Sequence, residues 1–340
     1  MIVTYIRSSS YGNYDFCQMQ YFMTYVLGYR SESGKKAQLG TACHKVMECL
    51  ASCKKELQDN PDKKELSIMD DAIGEVSFTP RKLKTKKLVA DLLSRSYEHY
   101  GSTDSHKYYP ADFKFCEKQI ETALNFNDGQ FDPRKRDIVD TEPTFDIAIE
   151  EDWAKYEYEM PDGTTIKGNL AIKGTIDLVT KIDDDIIEVV DWKTGQRKNW
   201  ATGEVKTYEK LLDDAQLLLY NYAISKLYPD YEQAIMSIFF TRDGGPFSMC
   251  FDKSDQDRFL EMLKKRYEEI KDNIKPRPIS NSRRDFRCQK LCHFYKNNWP
   301  GTNTTMCEYV EKKLHTIGHE KTLKECTNEG FNIGYYEAPG

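Results

Sequence analysis

Residues 186–193 read Ile-Ile-Glu-Val-Val-Asp-Trp-Lys, a run suited to a strand buried inside a layered fold. Its apolar residues occupy both parities, so both faces of the strand need cover. Residues two apart share a face, which turns Asp191 and Lys193 the same way. Glu188, three residues before Asp191, falls on the other face and is no candidate ligand. Asp183-Asp184-Asp185 reads as a hairpin turn. The strand before it carries GTIDLV, Gly174 to Val179, and pairing the two strands can bring the Asp177 carboxylate next to that of Asp191.

A bare D-x-K at a strand end reads most simply as a surface ion pair. Here three features weigh toward a functional cluster: the apolar neighbours Ile186, Ile187, Val189 and Val190, the strand exit at Thr194-Gly195, and the aspartate on the preceding strand. Two crowded carboxylates repel, and a divalent cation between them relieves the repulsion. Mg2+ takes few carboxylates and keeps several waters, which suits phosphate chemistry. An amine such as Lys193 can orient a water or offset charge that builds on a phosphate.

Around this pair the pattern runs helix, about three strands, helix, strand. It predicts an α/β chain with a mixed central sheet flanked by helices. One helix is expected from Thr41 to about Leu57, led in by Gly40 and carrying His44 and Glu48. A mainly helical, polar stretch follows from Asn60 to Phe115, with Thr79-Pro80 as a helix start. Strands are expected at Ile166–Ile182 (broken or bent at its glycines), Ile186–Lys193 and Ala234–Thr241, then Phe247–Phe251 after a Gly-Gly turn. Helices are expected at about Val205–Leu227 and Ser254–Ile274, and the tail from Lys275 reads as irregular. We read one domain over 1–340: N-terminal helices (1–60), a mainly helical insertion (61–140), the central sheet and its helices (141–274), and a cysteine-bearing tail (275–340).

No apolar run approaches a membrane span, and the N-terminus lacks a signal-peptide pattern, so a soluble cytoplasmic protein is expected. The net charge of −6 excludes a broadly basic nucleic-acid binder. Any polyanion groove would be a local patch, at Arg81–Lys87, Lys264–Arg266 or Lys275–Arg287; each reads equally as solvated surface.

Four short motifs occur in order: GTACH (Gly40–His44), GTID ending at Asp177, DWKTG (Asp191–Gly195) and QLLLY (Gln216–Tyr220). In this set and order the chain resembles the PD-(D/E)XK nuclease superfamily. Within it, the chain is similar to the RecB-like branch that includes CRISPR-adaptation nucleases and phage exonucleases. The resemblance covers roughly Gly40 to Leu227 and implies a restriction-endonuclease-like core. It implies that His44, Asp177 and Asp191, with the Trp192 carbonyl, hold Mg2+ or Mn2+, and that Lys193 is the catalytic lysine. A histidine ligand favours Mn2+. Gln216 and Tyr220 would contact the substrate or support the lysine, while a helix merely packed on the sheet explains them equally. Glu48, one turn after His44, reads as surface or as a supporting residue.

The chain has ten cysteines, and its intracellular character argues against disulfides. The same branch often holds a 4Fe-4S cluster by one early and three late cysteines, which here implies Cys17, Cys288, Cys292 and Cys307. The spacing departs from the family's closer late trio, and Cys326 competes for the fourth place. The residues themselves leave zinc open, on Cys288, Cys292, His315 and His319. Cys43, Cys49, Cys53, Cys116 and Cys250 read as core thiols. The resemblance implies a metal-dependent deoxyribonuclease, an exonuclease on single strands or DNA ends in recombination, repair or replication. A phage protein would work in its host's cytoplasm. A non-catalytic DNA-binding or assembly subunit, or a spacer-trimming nuclease with protein partners, are the competing readings. The intact D…D-x-K set favours catalysis.

Overall fold

The structure, a computed structural model, describes residues 1–103, 106–199, 202–243, 245–279 and 285–331. Position 244 of the expected Gly-Gly turn, residues 280–284 of the basic segment and residues 332–340 of the tail lie outside these.

The chain begins with β1 (Tyr5–Arg7) and α1 (Ser8–Phe16). Ser10 closes that junction by accepting the Arg7 N–H at 2.8 Å. A short α2 (Gln18–Tyr21) and one π-turn lead to α3 (Lys35–Asp59). This helix starts earlier than the sequence suggested, so Gly40 lies inside it. The next stretch, expected to be mainly helical, opens with a hairpin, β2 (Leu66–Asp70) and β3 (Gly74–Phe78). Asp70 builds its turn by accepting the Ala72 and Ile73 N–H groups, each at 2.9 Å. Then come α4 (Pro80–Leu83), capped by Thr79 as expected, α5 (Lys86–Thr103) and α6 (Pro110–Asn125).

The strand-rich half holds β4 (Asp137–Thr141), β5 (Thr144–Ala148), β6 (Lys155–Glu159), β7 (Thr165–Asn169), β8 (Ala171–Thr175), β9 (Leu178–Asp183) and β10 (Ile186–Lys193). Residues 166–182 are thus not one bent strand. They belong to three strands in three sheets, and the breaks fall at Leu170 and at Ile176-Asp177, while Gly168 and Gly174 stay inside strands. The helix expected over Val205–Leu227 is also two, α7 (Tyr208–Leu212) and α8 (Ala215–Leu227). Asp214 separates them by capping α8, where its carboxylate accepts the Gln216 N–H at 3.0 Å. β11 (Gln233–Phe240), β12 (Gly245–Phe251) and α9 (Lys253–Asp272) follow where expected. The tail is not irregular throughout: α10 (His293–Lys296) is followed by α11 (Met306–Cys326), which is broken at Gly318 (φ 81°, ψ 176°), and Phe331 beyond it seats against Gly28.

The main sheet has the order β12-β11-β10-β9-β4, mixed because β10 and β11 run parallel and the other pairs antiparallel. A second sheet has the order β1-β8-β5. Alternation along β10 sends Ile187 and Val189 into a core with α8 and α9, and Val190 and Trp192 into a core with α3, α5 and α6. Both faces are covered, as the apolar run requires. Among the described residues no helix is long and apolar enough to cross a membrane.

Candidate active site

Two ribbons cross together from the second sheet into the main one. The β4–β5 ribbon passes at Glu142-Pro143 and the β8–β9 ribbon at Ile176-Asp177. They are tied by Glu142 N–H to the Asp177 carbonyl at 3.3 Å and Ile176 N–H to the Pro143 carbonyl at 3.1 Å. The crossing puts Asp177 just ahead of β9. The antiparallel register pairs Val189 with Val179 and Val190 with Leu178, so its continuation sets Asp177 opposite Asp191. The Trp192 N–H confirms this by donating to Asp177 Oδ2 at 2.9 Å.

Four further expected residues meet the two aspartates here. His44 Nδ1 of α3 lies 3.4 Å from Asp177 Oδ2. Lys193 Nζ donates to Asp191 Oδ1 at 3.0 Å. Gln216 Nε2 of α8 donates to the same oxygen at 3.0 Å and lies 3.0 Å from the Tyr220 hydroxyl. Tyr220 is buried, and its hydroxyl donates to the Thr175 carbonyl at 2.8 Å. Asp191 Oδ2 is buried and among the described residues takes no well-angled hydrogen bond, although the Lys193 ammonium stands 2.8 Å away. The strand exit is held by the Thr241 N–H on the Lys193 carbonyl at 3.0 Å.

Burial pushes the Asp191 carboxyl up to about 6, against the pull of Lys193 and with the push of Asp177. Burial would do the same to Asp177, but His44 and Lys193 outweigh it and hold that carboxyl low. Burial also opposes the charged form of His44, and Asp177 overrides it, so its pKa is raised. Lys193 resists burial through Asp191 and stays firmly an ammonium.

Sequence reasoning missed Glu142. It has φ 48°, and its carboxyl is pushed up to about 7, by burial first and then by the nearby Glu48 charge. Its signal was faint: an acid before Pro143 at a strand exit. Glu48 is held by Lys45 Nζ at 2.5 Å, and Lys45 also reaches Asp70 at 2.9 Å. Glu188 sits away from the cluster, paired with Arg136 and accepting from the Ser237 hydroxyl at 2.5 Å.

The four cysteines that the resemblance assigned also meet. Cys17, Cys288, Cys292 and Cys307 line one small apolar cavity, with no histidine on its wall. Backbone N–H groups of Gln20, Ile279 and Met19 point at the Cys17 sulfur, and those of Tyr295 and Phe294 at the Cys292 sulfur. Burial raises all four thiols. Cys326 lies elsewhere, beside Lys313 and Glu325; His315 is exposed and His319 packs on Phe22. Cys43, Cys49, Cys53 and Cys116 are buried as expected, but Cys250 is exposed because the β12 register turns it outward. Among the described residues no three His, Cys, Asp or Glu side chains stand in preassembled ligand geometry.

A model of the PD-(D/E)XK nuclease superfamily matches residues 8–296, most of the chain. The chain belongs to the PD-(D/E)XK nuclease superfamily. Its mixed sheet and flanking helices are the restriction-endonuclease-like fold of that family, and a nuclease fold implies a nucleic-acid substrate. The chain is also similar to the crystal structure of a candidate exonuclease from Eubacterium rectale. The TM-score is 0.43 and the identity 13%, covering 90% of this chain and 92% of that one. At that distance the likeness says nothing of activity. No curated protein matches the chain.

Proposed function

We propose that this member of the superfamily is a divalent-metal-dependent deoxyribonuclease, working as an exonuclease on single strands or DNA ends. The reading rests on one observation above all. Asp191 keeps a buried carboxylate oxygen free of well-formed hydrogen bonds, with Asp177 on the neighbouring strand and the Lys193 ammonium beside it. Carboxylates and an imidazole form a donor set that fits Mg2+ or Mn2+, and the open oxygen gives it a place. His44, Asp177, Asp191 and the Trp192 carbonyl would hold the ion. Bound there, it would lower the pKa of a water and neutralise phosphate oxygens.

The chain's own residues do the rest. Lys193 remains an ammonium, so it acts as a cation and hydrogen-bond donor toward the phosphate, not as a base. Gln216 fixes the rotamer of Asp191, and it also lines the open groove beside α1, where it can meet substrate. Tyr220 acts through Gln216. The thiol-lined cavity would hold an iron-sulfur cluster between the N-terminal helices and the tail. The backbone N–H groups aimed at Cys17 and Cys292 favour the thiolates such a cluster needs.

The test is degradation of end-labelled linear, single-stranded and closed circular DNA, with Mg2+ and Mn2+ in parallel. We expect linear and single-stranded DNA to be lost and circles spared. Asp191→Ala and Lys193→Ala should each abolish cleavage while the far-ultraviolet spectrum stays unchanged. Full activity in both variants removes the site, and equal cutting of circles removes the exonuclease mode.

A further inference from the structure

We propose that the Arg81–Lys87 segment is a second nucleic-acid-binding surface, which holds sugar-phosphate backbone several nucleotides from the catalytic carboxylates. The proposal rests on the nuclease reading and extends it to a part of the molecule outside the active site.

Arg81, Lys82, Lys84, Lys86 and Lys87 are all exposed, and no acidic residue occurs between Glu75 and Asp91. By contrast Lys45, Arg134, Arg136, Lys173, Lys206 and Arg266 each sit on a carboxylate. None of the five makes an ion pair among the described residues; Lys82 alone spends its ammonium, on the Ser77 carbonyl at 2.7 Å. The turn is also rigidly mounted. Thr79 caps α4, Thr85 accepts the Leu88 N–H at 3.3 Å at the start of α5, and Arg134 grips the Leu83 carbonyl at 3.3 Å.

Lys86 and Lys87 occupy the first turn of α5, which has no acid there. A helix start already carries positive charge, so cations there are electrostatically unfavourable for the fold. A placement that works against the helix is accounted for if an anion is to be met. A polyanion approaching a body of net charge −6 and a carboxylate-rich site needs such a local field.

The position is set by the packing of α5 on α3. The Ser96 hydroxyl donates to the Ala42 carbonyl at 3.0 Å, which fixes Ser96 at the level of His44. Lys87 lies nine residues earlier on α5, about 14 Å away at 1.5 Å per residue. One strand advances about 3.4 Å per nucleotide, so along the α5 axis alone the surface is offset from the level of His44 by about four nucleotides.

The experiment compares wild type with the combined Arg81→Gln, Lys84→Gln, Lys86→Gln, Lys87→Gln variant. Binding of a labelled duplex of about 30 base pairs is followed by anisotropy in EDTA between about 50 and 200 mM salt. We expect the variant to bind at least roughly tenfold more weakly at low salt, with a log–log salt slope shallower by about 3. A tetranucleotide, which makes fewer phosphate contacts, should lose less affinity than the duplex. The melting temperature should be equal or higher, because the repelled lysines are gone. Equal duplex affinity and slope in the two proteins overturns the proposal. So does unchanged DNA binding with lost binding of polyglutamate, which would assign the surface to an acidic protein. Cleavage by the wild type is scored separately. If it is absent the nuclease reading falls, while the anisotropy titration, which needs no turnover, still decides the surface.

Discussion

Gln216 Nε2 donates to Asp191 Oδ1 at 3.0 Å, and this bond decides which oxygen of the aspartate is left open. Lys193 and Gln216 both donate to Oδ1, and among the described residues Oδ2 is left with the Lys193 ammonium 2.8 Å away and no well-formed hydrogen bond. Gln216 can do this because Asp214 starts a new helix two residues before it. The break between α7 and α8 is thus part of the site's construction.

Gln216→Leu removes the donor and lets the carboxylate rotate. We expect kcat to fall about 10–100-fold, as for other residues that orient a metal-site carboxylate. Gln216→Glu sets a carboxylate against Asp191 and should lose more. Equal kcat in wild type and Gln216→Leu, measured at saturating metal, would show that Asp191 needs no such support.

The close approach of α3 to the strand exit gives a second prediction. A Cβ at Gly40 would lie 2.8 Å from Thr194 Oγ1, so the glycine lets the helix carry His44 to within 3.4 Å of Asp177. Gly40→Ala should displace His44 and reduce cleavage, by up to about 10²-fold for a shift near 1 Å. Thr194→Ala alone should be nearly silent, and the double variant should recover most of the loss. A double variant no better than Gly40→Ala would mean that this contact does not set the helix position.

Much of this site was legible because its logic is local. The parity of β10 gave the common face of Asp191 and Lys193 and set Glu188 aside. The turn at Asp183–Asp185 gave the strand neighbour that carries Asp177. What was hidden depends on sheets the sequence does not name. The run from Ile166 to Ile182 looks continuous because its residues favour strands throughout, yet it serves three sheets and crosses between two of them at Asp177. Glu142 was invisible for the same reason, since only the paired crossing brings it to Asp177. The β2–β3 hairpin did carry a signal, the alternation in Leu66–Asp70, which the surrounding polar residues masked. Cys250 was misread because β12 is an edge strand and need not bury both faces.

The converging cysteines predict a metal-dependent tail. Protein isolated without oxygen should be brown and contain iron and acid-labile sulfide. Cys17→Ser or Cys288→Ser should lose both and lower the melting temperature, because metal binding contributes to folding energy where distant segments meet. Cys326→Ser and His315→Ala should retain the metal, since neither residue lines the cavity. Metal analysis that finds zinc and no iron would reject the cluster.

The last prediction concerns acid. His319 packs on the Phe22 ring with centroids 5.6 Å apart, and its buried Nε2 has no hydrogen-bond partner among the described residues. Its pKa is pushed down to about 4, by burial first and then by the Met1 ammonium. In the unfolded chain it titrates near 6.5. Between those values the unfolded state binds a proton that the native state refuses, so stability rises with pH across this window. The contribution is fully present above about 6.5 and is lost as the pH falls toward about 4. His319→Phe keeps a ring against Phe22 and removes the titrating group. We therefore expect the melting temperature of the wild type to drop more steeply than that of the variant between pH values of about 6.5 and 4. Parallel curves for the two proteins would mean that this imidazole is protonated without cost, and that its burial does not contribute to acid sensitivity.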